Sequence, residues 1–274
     1  MEVKVLGLLE GRVRDVCVVP TACKPRQIFA LLALNAGHAV SVPVLMEELW
    51  GENPPRSAST TLQTYILQLR RLLEGAMGSD GNRAAKSMLC TRFNGYMLDI
   101  PPQDVDVYGY DQLASAGRKA LDMNDAKTAA QRLRDALDVW RGPVFADVNV
   151  GPRLSAEQVR LEESRLVTLE SRIEADLILG RHYAVLSELS VLAAQHPWHE
   201  NLHAYYMIAL YRTGRQWQAL DVYRRLRDTL VGEFGLEPSG WPQHLQRAIL
   251  SADPSLEQPW LGGPMTRRRH ATVC

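Results

Sequence analysis

Three things are scarce in this 274-residue sequence: net charge, paired cysteines and long apolar runs. Lys+Arg and Asp+Glu both number 31, so no global basic field announces a polyanionic partner. The four cysteines, Cys17, Cys23, Cys90 and Cys274, form no C-x-x-C pair, and the opening MEVKVLGLLEGRVR has neither a long apolar run nor a small-residue cleavage site. An intracellular, cytoplasmic chain with reduced thiols is expected. No segment approaches the roughly 18 uninterrupted apolar residues of a membrane span, so membrane embedding is excluded. Also missing are G-x-x-x-x-G-K-[ST], G-x-G-x-x-G and G-x-S-x-G, which removes phosphate cradles and hydrolase elbows.

What is present is the composition of a globular protein, 46% hydrophobic and 23% charged, long enough for two domains. The neutral average hides a gradient. Residues 1–100 hold 11 Lys+Arg against 9 Asp+Glu, residues 101–255 hold 17 against 21, and the tail holds 3 against 1. The local balances are therefore +2, −4 and +2.

EVKVLGLLEGRVRDVCVVP reads as two short strands turning at Glu10-Gly11. Pro25 then opens a first helix through Ile28, Leu31, Leu32 and Leu34, and Ser41 can cap a short second one that runs to Trp50 and stops at Gly51 and ENPP. In RSASTTLQTYILQLRRLLEG, Leu62, Ile66, Leu69 and Leu73 repeat at spacings of four, three and four, which predicts a third helix with one buried stripe. Two residues round that helix, about 200°, lie Thr64, Gln68 and Arg71, with Thr61 a turn earlier and no acid before Glu74. MLCTRFNGYMLDI is two alternating runs meeting at Asn94-Gly95, a strong β-hairpin signal.

From Asp104 almost to Pro254 the chain reads as helices alone. Gly180 and Gly214 stand 34 residues apart, each followed at +3 by an aromatic, Tyr183 or Trp217, and that spacing is the tetratricopeptide period. A weaker copy around Asn124 has Ala126, Ala129, Ala130 and Ala136 but no matching glycine. The fold expected is mainly α: a winged helix-turn-helix over residues 1–100, with a small β-sheet and a β-hairpin wing, then an all-α tetratricopeptide-like domain over 101–255. Residues 256–274, with Arg267 to Arg269, read as a disordered tail.

His199-Glu200-Asn201-Leu202-His203 matches H-E-x-x-H, the helical zinc-peptidase pattern. The glycine and third histidine of the extended form do not follow, and His199 falls in the first turn of a helix after Pro197, where Glu200 favours the helix dipole. Capping and packing explain these residues, and with His196 only adventitious zinc binding is left to them. No catalytic residue, cofactor or metal is assigned.

Helix, short helix, breaker, helix with a polar outer face and hairpin is the order of a DNA-reading winged helix-turn-helix, whose third helix enters the major groove. Thr61, Thr64 and Gln68 are the candidates for base edges, Gln68 for adenine and the threonines for thymine methyls. Arg56, Arg70 and Arg71 would hold phosphates, and Arg92 with Asn94 at the hairpin tip would reach the neighbouring minor groove or backbone. Tyr65 is divided between a phosphate contact and packing, leaning to DNA, whereas Trp50 and Phe93 read as core. The competing reading is a tetratricopeptide-type scaffold that binds protein and no DNA.

In LLALNAGHAVSVPVLMEELWG, TLQTYILQLRRLL, NGYMLDI, ALDVWRGPVFADV, EADLILGRHYAVLSELSVL, LHAYYMIALYRTGRQWQAL and FGLEPS the chain resembles the Streptomyces antibiotic regulatory protein family. Its small members join an OmpR-type winged helix to a bacterial transcriptional activation domain of tetratricopeptide-like helices. The resemblance covers about residues 1–255. It implies an activator, not an enzyme, that switches on a natural-product gene cluster by binding direct repeats in promoter DNA near the −35 region. RNA polymerase holoenzyme with its sigma factor and a second protomer on DNA are the implied partners, and the nucleoid the implied place.

Overall fold

The computed structural model describes residues 1–78 and 81–256. By internal contacts the chain forms two compact units that do not follow chain order: Met1–Ala114 with Asp135–Leu166, and Ser115–Arg134 with Val167 onward.

The first unit opens with an antiparallel sheet, β1 (Glu2–Lys4), β2 (Glu10–Val13) and β3 (Val16–Cys17). The turn expected at Glu10-Gly11 is elsewhere: both residues lie within β2, paired with Lys4 and Val3, and the chain reverses at Arg14-Asp15, with φ of 48° and 66°. Gly11 serves close packing instead, because a Cβ there would stand 2.8 Å from the Phe29 ring. Next come α1 (Cys23–Leu34), β4 (Val40–Ser41), α2 (Val42–Trp50), α3 (Ala58–Met77), α4 (Gly81–Met88), β5 (Leu89–Arg92) and β6 (Gly95–Leu98), with β6 between β4 and β5. The predicted stripe of Leu62, Ile66, Leu69 and Leu73 is buried, and half-buried Trp50 packs against the same core.

Residues 141–166 complete this unit. Arg141 N donates to Leu6 O at 2.8 Å, Phe145 N to Val5 O at 3.1 Å and Ala146 N to Gly7 O at 3.1 Å. Trp140, Val144, Phe145, Val148, Leu154 and Leu161 share one buried cluster with Val3, Ile28 and Leu62. Asp106 accepts from Val5 N at 2.9 Å and Leu6 N at 3.0 Å; burial pushes its carboxyl above the ordinary aspartate range, against those two bonds and the charge of Arg141.

α5 (Asp106–Asp122), α6 (Ala126–Asp138) and α7 (Pro152–Ile178) contribute to both units, and the second adds α8 (His182–Gln195), α9 (Glu200–Arg212), α10 (Gln216–Phe234) and α11 (Gly240–Leu250). The ends of α5, α7 and α9 close alike, and α11 closes the same way at Ala252, φ 48°, with Asp253 N donating to Ala248 O at 2.9 Å. Asn124, Gly180 and Gly214 take φ of 61°, 74° and 78°, and the residue after each donates its N–H to a carbonyl five positions back, Ala120, Asp176 or Leu210. That is the Schellman termination, in which asparagine tolerates the left-handed conformation glycine usually supplies, so the copy without a glycine has the same turn. The tail expected over 256–274 lies outside the described residues except for Leu256, which packs on the α9–α10–α11 core. The Arg267–Arg269 run lies wholly outside them.

Candidate nucleic-acid interface

Helix α3 carries its buried stripe inward and a nearly uncharged face outward. Thr60, Gln63, Thr64, Leu67, Gln68 and Arg71 are exposed, and the first acid is the half-buried Glu74. Of the expected contacts on α3, Thr64, Gln68 and Arg71 share this face, while Thr61 is half-buried at its edge. Thr64 Oγ1 donates to Thr60 O at 3.0 Å, so its hydroxyl hydrogen is engaged within the helix. Thr60, Gln63 and Leu67 were missed because a two-residue step finds only the midline of a face; adding the i±3 and i±4 neighbours of Thr64 recovers Thr60 and Leu67, and theirs in turn recover Gln63. Leu67, 47% exposed, is an apolar group suited to a thymine methyl. Arg56 is exposed in the loop before α3.

Arg70 is held differently from its neighbour. Its Nε and Nη2 donate to Leu89 O at 3.0 and 2.9 Å, and Nη2 also reaches Thr91 Oγ1 at 2.9 Å. The guanidinium thus bolts β5 to the back of α3 and fixes the wing against the helix. Tyr65 is half-buried against the core, on the packing side of its two readings.

The wing turns at Phe93-Asn94, one residue before the expected Asn94-Gly95. Arg92 pairs with Gly95 across the turn, Asn94 has φ of 56°, and Gly95 is a strand residue whose Cβ would collide with the Val40 carbonyl. Close approach of β4 therefore claims the glycine, and asparagine takes the left-handed position. Phe93, expected in the core, is 103% exposed at the tip. Alternation along the hairpin spoke for burial, but a residue in a two-residue loop has no sheet face to point into. Arg92 and Asn94 flank it, both exposed, with an Arg92 amino group 3.8 Å from Asp99.

In the second unit the H-E-x-x-H residues each have a structural partner. His199, at the start of α9, places Nε2 3.0 Å from buried Glu170, which also accepts from Asn201 at 3.1 Å. Glu200 accepts from Ser239 N at 2.5 Å at the head of α11, and His203 Nδ1 lies 3.1 Å from His199 O. Among the described residues no three His, Cys, Asp or Glu side chains are grouped to hold a metal.

Burial holds His203 below the usual histidine range, against the His199 carbonyl bond, and burial with the charge of Arg212 does the same to His182. Above about pH 6.5 both rings are neutral in the folded and unfolded chains; below it the unfolded chain binds protons that the folded one refuses, so stability falls on acidification. The slope is at most about 1.4 kcal/mol per pH unit for each ring. Thermal unfolding of the full chain between pH 7 and 5 should show this decline, and His203→Gln should flatten part of it; an identical slope in that variant would refute the assignment.

The residues match two family models, "Transcriptional regulatory protein, C terminal" over 19–98 and "Bacterial transcriptional activator domain" over 105–250. The chain is 52% identical over 258 residues to regulatory protein DnrI of Streptomyces peucetius, covering 94% of this chain and 95% of that one. It is 38% identical to regulatory protein AfsR of Streptomyces coelicolor, covering 85% of this chain but 22% of AfsR. A solved structure of Mycobacterium tuberculosis EmbR in complex with a low-affinity phosphopeptide superposes with a TM-score of 0.85 at 30% identity, covering 99% of this chain and 69% of that one.

Proposed function

Since the chain belongs to the Streptomyces antibiotic regulatory protein family, a family of transcriptional regulators, we propose that it activates a secondary-metabolite gene cluster by reading promoter DNA through α3 and the wing. The observation that carries this is the outward face of α3, from Thr60 to Arg71 without an acid, fastened to the wing through Arg70 and the Leu89 carbonyl. Thr61, Thr64 and Gln68 meet base edges, joined by Leu67. Arg56 and Arg71 neutralise phosphates, Arg70 sets the wing, Tyr65 supports α3 from its packed side, and Arg92 and Asn94 reach the adjacent groove.

Single winged modules bury modest area, so two protomers on direct repeats about one helical turn apart, near the −35 region, would share one face of the duplex. Residues 1–100 supply the reading head in this account. The tetratricopeptide-like helices over 101–255 supply contacts to the second protomer and to RNA polymerase holoenzyme with its sigma factor. No cofactor or metal enters this reading, and its place is the cytoplasm, at the nucleoid; among the described residues no helix is long and apolar enough to cross a membrane.

Purified chain and a site selected from a random duplex library test it. Gln68→Ala should lose about 1–3 kcal/mol of discrimination at one base pair, and Arg71→Ala should weaken all sequences and reduce the salt slope by about one. Thr64→Asp/Gln68→Glu should abolish binding, since two carboxylates would face the phosphates. Promoter activity unchanged in that double variant would transfer the function to a protein-binding scaffold.

A further inference from the structure

Phe93 is the one large hydrophobic side chain of the described residues whose exposure reaches 103%, and it stands in the two-residue loop at the tip of the β5–β6 hairpin. It cannot swing into the core. The Arg92↔Gly95 register and the left-handed Asn94 hold it in the loop, while the strand residues behind it, Leu89, Tyr96 and Leu98, already fill the interior. The Arg70 bonds to Leu89 and Thr91 hold β5 against α3, so a duplex engaged by α3 meets the tip at a set position. Arg92 beside it is half-exposed and carries the only charge of the tip, drawn partly back by Asp99 at 3.8 Å.

A ring offered to water at the end of a rigid basic hairpin suits a surface that is negative at its rim and apolar within. The DNA minor groove between stacked base pairs has that chemistry. We infer that Phe93 is an apolar wedge that enters the minor groove beside the site read by α3, partly unstacks one base step and bends the duplex there. This rests on the DNA-binding reading and adds to it an indirect component of specificity: flexible pyrimidine–purine steps under the wing would be favoured although no side chain hydrogen-bonds to them.

The test uses the full chain and its own library-selected duplex, labelled for bending by end-to-end energy transfer and carrying 2-aminopurine at each step on the wing side. Wild type should brighten 2-aminopurine at one step and bend the duplex by roughly 20–90°. Phe93→Ala should bind about tenfold more weakly with an unchanged salt slope and lose both signals, whereas Phe93→Leu should keep most of them. Arg92→Ala should do the reverse, lowering the salt slope while preserving the bend. If Phe93→Ala binds and bends the duplex like wild type, the wedge is overturned and the DNA reading stands; if that variant also loses transcriptional activation, the tip meets a protein instead. A library that yields no enriched sequence overturns both.

Discussion

Replacing Glu48 with alanine should lower the unfolding free energy by about 3–5 kcal/mol, a large share of the stability of most domains. Glu48 is 2% exposed on α2, and its carboxylate accepts from Gly151 N at 2.6 Å, Arg153 N at 2.8 Å and Leu154 N at 3.1 Å, so it caps the first turn of α7 from another helix. Gln27, also 2% exposed, donates to the same carboxylate at 2.9 Å and to the Glu48 carbonyl at 2.7 Å. The N-terminal N–H groups of a helix have no partner within it and carry the positive end of its dipole, so a buried carboxylate there satisfies several donors at once. Alanine leaves those donors buried and unmet, each at about 1–3 kcal/mol before relaxation.

The control is its neighbour. Glu47 pairs with Arg153 at 2.8 Å, but both side chains are about half exposed, and Glu47→Ala should cost no more than about 1 kcal/mol. Denaturant unfolding of both variants decides the matter, and equal midpoints would refute the cap. A valine at Gly151 attacks the same junction from the other side, because its Cβ would fall on the Glu48 carbonyl.

A fragment ending at Ile100 should not fold cooperatively, although it spans the whole winged-helix match of residues 19–98. It would lose the Asp106 carboxylate that holds Val5 and Leu6, the Asp147 carboxylate that accepts from Leu9 N at 2.8 Å and pairs with Arg26, and the three backbone bonds from residues 141–146. It would also uncover Val3, Val5 and Leu6, each fully buried. At roughly 1.5–3 kcal/mol for each large apolar side chain, losing Trp140, Val144, Phe145, Val148, Leu154 and Leu161 exceeds what a 100-residue domain can spare. A fragment ending at Leu166 retains all of these. The expected result is a broad, non-cooperative melt for the shorter fragment and a sharp one for the longer. A sharp transition for residues 1–100 within a few degrees of the longer fragment would show that the winged helix stands alone, and DNA binding by the isolated segment could then be read at face value.

Where a feature depends on neighbours within about four residues, it was legible in the chain. The stripe of Leu62, Ile66, Leu69 and Leu73, the outward placement of Thr64, Gln68 and Arg71 and the left-handed helix ends at Gly180 and Gly214 all follow from helical periodicity and local turn chemistry. Other features needed partners brought from afar. Whether Gly11 and Gly95 turn the chain or lie in strands depends on Phe29 and Val40, which leave no room for a Cβ, and so Phe93 sits at the tip of the wing and not inside it. Arg70 and Arg71 are adjacent and chemically identical, yet only Arg70 has a strand carbonyl in reach, 19 residues on. Glu48 looks like any helical acid until the N–H groups of α7, 103 to 106 residues further along, arrive to use it. By itself the sequence determined the main helices with their amphipathic faces and the family, while both strand turns fell at other residues and α4 carried no apolar period to announce it. Tertiary structure alone decided that Arg70 is tied to β5, that Phe93 stands at the wing tip and that Glu48 caps α7, because a buried donor or a missing Cβ takes its meaning from whatever the fold sets against it.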